Sequence, residues 1–343
     1  MTVPQPDRPN ETTQPWWRRA LSRLDPFIMS LLGAVVLASF LPVRGAAAEV
    51  FDVLVVVAVA WLFFLYGVRL KTEEAVAALK NWRLHSVVLA CTYIIFPLLG
   101  LLMYLVPDSV LPHDLKLGLV FLTLLPSTVQ SSIAFVSIAR GNVAGAVVAA
   151  SFSNLAGVIV TPVLVAIIMG GQVGFSGAAI GKIALQLLLP FVLGQLARRW
   201  LADWVIKHKK VTTLTDRGSV VLVVYSAFSG GVVDGIWTKV SLPNILVLIV
   251  ISAVLLAVML WLSHTVGKAA GFSREDQAVI LMCGSKKSLA TGVPMATVLF
   301  GPTLVGMIVL PVMIFHQIQL IVCAVIARRL GEQEEQESLV PAH

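Results

Sequence analysis

Apolar residues fill the chain from about position 27 to position 328, in blocks of roughly 16 to 28 residues parted by short polar segments. The blocks are too long for strands. A hydrocarbon layer about 30 Å thick takes about 20 helical residues to cross. The pattern therefore predicts ten membrane-spanning helices: 27–42, 50–70, 84–106, 115–139, 142–169, 177–198, 217–235, 243–269, 275–300 and 303–328. The first is short and fits a tilted or partly capped span. The tails are polar: 1–25 is an N-terminal tail in which Trp16, Trp17, Arg18 and Arg19 resemble an interfacial anchor, and 330–343 is a short acidic tail expected to be disordered.

Composition agrees. The chain has 343 residues, 58% of them hydrophobic and 13% charged, where a soluble domain carries about 25% charged residues. The lipid bilayer is thus the first partner. The net charge of +7 does not point to nucleic acid, because the basic residues sit in short segments between apolar blocks and serve orientation. With the N-terminus cytoplasmic, 19 Lys and Arg lie inside, while Arg44, Lys116, Lys182 and Lys239 lie outside. Both termini are therefore expected in the cytoplasm. Cys91, Cys283 and Cys323 lie far apart within apolar blocks, which fits small buried hydrophobes rather than a disulfide framework or a metal site.

Ten spans divide into five and five, and an odd number makes two similar halves enter the membrane from opposite sides. That is the inverted repeat of secondary transporters, here expected as 26–170 and 177–329. Spans four and nine carry the test. "LTLLPSTVQSSIAFVSIARGN" (122–142) and "LMCGSKKSLATGVPMATVLFGP" (281–302) each interrupt an apolar block with a polar, helix-breaking patch, opened by Pro126 and by Gly284. Matching "QSSIA" (130–134) to "KKSLA" (286–290) puts the patches at corresponding positions.

A broken helix leaves N–H and C=O groups unpaired, which a membrane tolerates only beside protein or a watery cavity. The start of each second half-helix offers positive partial charge, and the end of each first half offers carbonyls. Ser127, Thr128, Gln130, Ser131 and Ser132 surround one break; Ser285, Lys286, Lys287, Ser288 and Thr291 surround the other. The hydroxyls also fit simple helix gluing, and lysines can snorkel to an interface. However, Lys286 and Lys287 lie about 15 Å into their span, which a lysine stem scarcely covers. All 18 Asp and Glu fall in tails, loops or span ends. The polar centre therefore favours an anion, and any Na⁺ would rely on hydroxyls, carbonyls and amides. Ser151, Ser153 and Asn154 in span five, and His316, Gln317 and Gln319 in "FHQIQL" of span ten, add further polar positions.

These motifs resemble a known family. "PSTVQSSIAFVSIARGNVAGAVVAASFSNLAGVIVTP" (126–162) is similar to the bile acid:sodium symporter family, and "CGSKKSLATGVPMATVLF" (283–300) to its SBF-like, YfeH-type branch. The resemblance spans all ten blocks. It implies an all-α polytopic fold of two inverted five-helix repeats, arranged as a panel and a core domain, with helices 4 and 9 broken where they cross. It also implies a bacterial inner (cell) membrane protein that moves organic anions. The sodium ligands carry over poorly. Ser131-Ser132 stands where sodium-coupled members have Ser-Asn, so the resemblance places any Na⁺ near those two hydroxyls. The Ser and Thr of span five fall on Ala146 and Ala150, the shared Glu near Met282, and the Gln on Lys286. Lys287 takes the place of a substrate-facing Asn, and His316-Gln317 that of a His-Asn pair.

The expectation is a secondary transporter of a small or amphipathic organic anion, with an intramembrane lysine in place of a coupling cation. Gln130, Ser131, Lys287, His316 and Gln317 are expected at the substrate. Ser127, Thr128, Ser132, Ser151, Asn154, Ser285, Lys286 and Ser288 are expected at the coupling site, with Lys286 between the carbonyl ends. No cofactor is called for, and Na⁺ and H⁺ are the open coupling ions. Sodium symport and, outside transport, a membrane regulatory protein are the alternatives. No metal cluster or catalytic constellation points to an enzyme.

Overall fold

Pro26 opens the first helix, where a missing N–H removes no helical bond. From there the chain is helical almost throughout. A computed structural model describes residues 26–69, 81–173, 177–233, 235, 238 and 240–339, and contains no strand among them. The expected anchor at Trp16–Arg19 lies outside the described residues. The helices are α1 (Pro26–Phe40), α2 (Ala46–Arg69), α3 (Trp82–Leu105), α4 (His113–Leu124), α5 (Gln130–Ile138), α6 (Val143–Val173), α7 (Gly177–Lys207), α8 (Lys209–Val233), α9 (Leu242–Ala269), α10 (Arg274–Gly284) and α11 (Leu289–Leu339). Five stretches are long and apolar enough to cross a membrane: Ala46–Arg69, Trp82–Leu105, Val143–Gly170, Leu242–Ala269 and Leu304–Gln333. Large apolar side chains such as Phe40, Leu105 and Ile167 point outward at 74–81% exposure, as lipid-facing positions do. This is an integral membrane protein.

Local chemistry sets the ends. Ser241 and Asn244 form a reciprocal capping box at the start of α9. At its other end Gly271 takes positive φ, with Gly271 N–H bonded to Lys268 O and Phe272 N–H to Gly267 O, the Schellman pattern. The same pattern ends α5, but there Arg140 adopts the left-handed conformation and Gly141 follows. Glycine is needed at 141 for space: a Cβ would lie 2.7 Å from the Ala278 Cβ of α10.

Helices α1, α2, α7 and α8 form one group and the remaining helices another, joined chiefly by α8 against α11. In the first group α2 and α7 touch backbone to backbone. A Cβ at Gly67 would lie 2.1 Å from Phe191 O, and one at Gly194 would lie 2.0 Å from Phe64 O. Small residues permit such close approach in membranes.

Three expectations need correction. The polar segment between spans six and seven is helical, with α7 running to Lys207 and α8 starting at Lys209. Its stacked Trp204 and His208 rings and helix-favouring residues carry the helix past the apolar block. The acidic tail, expected to be disordered, continues α11 to Leu339, supported near its start by the Arg328–Glu332 pair one turn apart. Finally, α11 has helical backbone over 51 residues, about 75 Å if straight, yet Gln319 bonds Lys287. The chain therefore reverses between Thr291 and His316, a stretch that contains Gly301 and Pro302.

Candidate functional site

The site begins with two interruptions, 125–129 between α4 and α5 and 285–288 between α10 and α11. They pack on each other. Ser127 Oγ donates to Cys283 O at 2.6 Å, Ser132 Oγ to Met282 O at 3.1 Å, and Ser288 N–H to Pro126 O at 2.8 Å. Each break is followed by a hydroxyl pair three residues apart: Ser131 Oγ to Thr128 Oγ1 at 2.8 Å, and Ser288 Oγ to Thr291 Oγ1 at 3.0 Å. These pairs match Thr128 to Ser288, which shifts the letter alignment of "QSSIA" with "KKSLA" by four residues, one helical turn.

Two amides tie the breaks to neighbouring helices. Asn154 of α6 donates to Ser127 O at 2.6 Å and accepts from Thr291 Oγ1 at 2.8 Å, so it touches both breaks. Gln319 of α11 accepts the Lys287 N–H at 2.9 Å and donates to Lys287 O at 2.8 Å. His316 Nδ1 lies 2.7 Å from the Gln319 amide nitrogen. Gln319 thus replaces a strand-like pair of backbone bonds at a break that has no helical partners.

The lysines divide sharply. Lys287 Nζ donates to Thr92 O at 2.8 Å, Thr123 O at 2.7 Å and Leu125 O at 2.7 Å, and lies 4.2 Å from the centre of the Phe96 ring. An ammonium has three donors, and all three are used. The carbonyls are free for identifiable reasons. In α3 a π-helical turn, Cys91–Ile95, sends the Phe96 N–H to Cys91 O, skipping Thr92; the next residue, Pro97, has no N–H to offer. In α4 the helix ends at Leu124, so Thr123 and Leu125 carbonyls lack helical donors. Lys286 is also fully buried, but its Nζ has no hydrogen-bond partner among the described residues and lies over the Phe135 ring at 4.3 Å. The expected placement is therefore corrected: the carbonyl cage holds Lys287, not Lys286. Neighbouring residues point about 100° apart, which separates the pair without telling which one meets the cage.

Beside the breaks lies a cavity of about 820 Å³, between the two helix groups. Gln130, Ser131, His316 and Gln317 line it, as do Thr128, Ser151, Asn154 and Ser288. Ser127, Ser132 and Ser285 are buried in the contact between the breaks instead; Ser285 Oγ bonds back to Leu281 O. Lys287 is not among the lining residues, so its expected place facing the cavity is not what the structure shows. The sequence reading missed Tyr66, Arg69, Asp216 and Arg217, which line the wall built by α2 and α8. Arg69 and Arg217 read as orientation charges in the sequence, and no local signal links Arg69 to Asp216, 147 residues away. Arg69 and Asp216 form an ion pair at 2.7 Å. Phe135, Leu155, Val158 and Phe191 give the cavity its apolar surface.

A membrane-embedded pair of interrupted helices beside a mixed polar and apolar cavity is the arrangement of a carrier site. The sequence profile of the SBF-like CPA transporter family matches residues 25–332. The chain belongs to that family. An uncharacterized protein of Pseudomonas aeruginosa is 49% identical over 313 residues, 91% of this chain and 94% of its own. YfeH of Escherichia coli, whose name proposes a symporter, is 49% identical over 315 residues, 91% of this chain and 95% of its own. Sodium/bile acid cotransporter 7 of Rattus norvegicus is 29% identical over 303 residues, 87% and 89% of the two chains.

Proposed function

We propose that this protein is a secondary active transporter that moves a small or amphipathic organic anion by alternating access, with the intramembrane Lys287 in place of a coupling cation. The observation that carries this reading is the Lys287 ammonium in its cage of three main-chain carbonyls. Oxygen ligands from broken helices are what a hard cation would need. The cation here is covalently part of the chain. The anion would lie in the cavity, where the N-termini of α5 and α11 present positive partial charge and Gln130, Ser131, His316 and Gln317 offer hydrogen bonds.

The proposed architecture is ten spans in two inverted five-span halves, 26–170 and 177–329. The mirrored Thr128–Ser131 and Ser288–Thr291 pairs support it. The excess of basic residues on one side supports both termini in the cytoplasm, and the two bacterial relatives support an inner-membrane location. Sodium symport is the second reading. It is favoured by the clustered hydroxyls of Thr128, Ser131 and Ser132, 2.8–2.9 Å apart, and by the name of the rat relative.

Counterflow in proteoliposomes tests carrier function. Vesicles loaded with one unlabelled organic anion should accumulate the labelled form transiently without a net gradient. Absence of exchange for every anion in a panel of steroid, aryl and short-chain carboxylates, with labelled anion binding nowhere, would leave a regulatory membrane protein as the better reading.

A further inference from the structure

The cavity needs a group that recognises negative charge, and the two intramembrane lysines do not line it. The full positive charges that do are Arg69 and Arg217. Arg217 stacks its guanidinium on the Phe27 ring, 5.4 Å from the centre. Arg69 is the last residue of α2, and its side chain keeps 30% of its surface exposed. Its guanidinium gives one hydrogen bond to Asp216 Oδ2 at 2.7 Å and one to Thr212 O at 3.0 Å. A guanidinium has five N–H donors, so three remain. These two contacts also fix the plane of the fork, which is the condition for two-point binding of a carboxylate, sulfonate or phosphate.

We infer that Arg69 is the residue that binds the acidic group of the substrate, and that Asp216 is its built-in competitor, holding the fork in place and preventing the anion from being trapped. This rests on the reading of the cavity as a transport site and narrows it. The substrate class then combines an acidic group for Arg69 with apolar surface for Phe135, Leu155 and Phe191 and neutral hydrogen-bonding groups for Gln130 and Gln317, all of which line the cavity. Asp216 suits the competing role because its second oxygen, Oδ1, is buried without a hydrogen-bond partner among the described residues. Its hold on Arg69 is thus a single hydrogen bond, weaker than the two-point grip an incoming carboxylate could make. A link from this wall to the breaks exists as well. Tyr66, one turn before Arg69, lines the cavity together with Thr291, whose hydroxyl bonds Asn154.

The test uses the full-length protein in detergent and in proteoliposomes. Ligand-induced thermal shifts are measured for a panel of aryl and steroid carboxylates and for the carboxamide of each. Arg69→Gln alone leaves Asp216 without its partner, so the double variant Arg69→Gln/Asp216→Asn, which removes both charges, serves as the folded control. The expected result is that the double variant loses about tenfold or more in affinity for the tightest-binding carboxylate, while affinity for its carboxamide stays within about twofold. Asp216→Asn alone should tighten carboxylate binding several-fold and slow its counterflow. Equal losses for carboxylate and carboxamide, or no loss for either, overturn the assignment of Arg69 while carrier function stands. If the wild-type protein binds no carboxylate of the panel, the organic-anion reading falls and this inference falls with it.

Discussion

Lys286 and Lys287 are bonded to each other and live in opposite surroundings. Lys287 spends all three N–H donors on the carbonyls of Thr92, Thr123 and Leu125, while Lys286 finds none and faces the Phe135 ring. Burial is the same for both, close to complete. The difference lies in what the helices leave unpaired. Pro97 and the π turn in α3, together with the end of α4 at Leu124, create surplus carbonyls on one side of the break. On the other side the Phe135 ring of α5 covers Lys286 Nζ, which meets no carbonyl among the described residues. A buried charge is tolerable where broken backbone supplies oxygen and costly where intact helix surrounds it. Hence Lys287 is tied down at every donor, while Lys286 makes no hydrogen bond through Nζ among the described residues.

Removing each charge should sharpen this contrast. Lys287→Met leaves three buried carbonyls without donors, and should lower stability by about 3–5 kcal/mol, as breaking a buried charged contact does; thermal unfolding in detergent reads this directly. Lys286→Met should leave stability unchanged or raise it by up to about 3 kcal/mol, since it removes a buried group with no partner. A comparable loss from both substitutions would show that the two surroundings are not different after all. The same Lys286 variant should flatten the pH dependence of exchange. Cys283 of α10 and Cys323 of α11 are the titratable neighbours, so a Cys283→Ala/Cys323→Ala background that keeps the wild-type profile would assign the dependence to the lysine. A pH profile that survives in Lys286→Met contradicts its role.

Much of this was legible in the chain, for particular reasons. Pro126 and Gly284 mark interruptions because a membrane helix has few other causes to break, and hydropathy places them inside long apolar blocks. The side chains that gather there, among them Thr128, Asn154 and Ser288, follow from that position. What the sequence hides is angular and long-range information. Lys287 takes the carbonyl cage expected for Lys286, and neither lysine lines the cavity, because adjacency fixes the angle between two side chains and not their absolute direction. The four-residue register shift between the breaks arises because "QSSIA" and "KKSLA" share letters but not distance from a helix end. Arg69 and Asp216 look like two unrelated interface charges until α2 and α8 bring them together. The freed carbonyl of Thr92 depends on a π turn and a following proline, a signal present as Pro97 but silent about which partner would use it.

The central claim, that a lysine of the chain stands in for a bound coupling cation, is tested most directly by counterflow of the best-bound organic anion with Na⁺ replaced by K⁺ or choline, at clamped pH and membrane potential. The expected result is the same exchange rate in all three media. A requirement for Na⁺ under those conditions would contradict it and leave the hydroxyl cluster of Thr128, Ser131 and Ser132 as the coupling site.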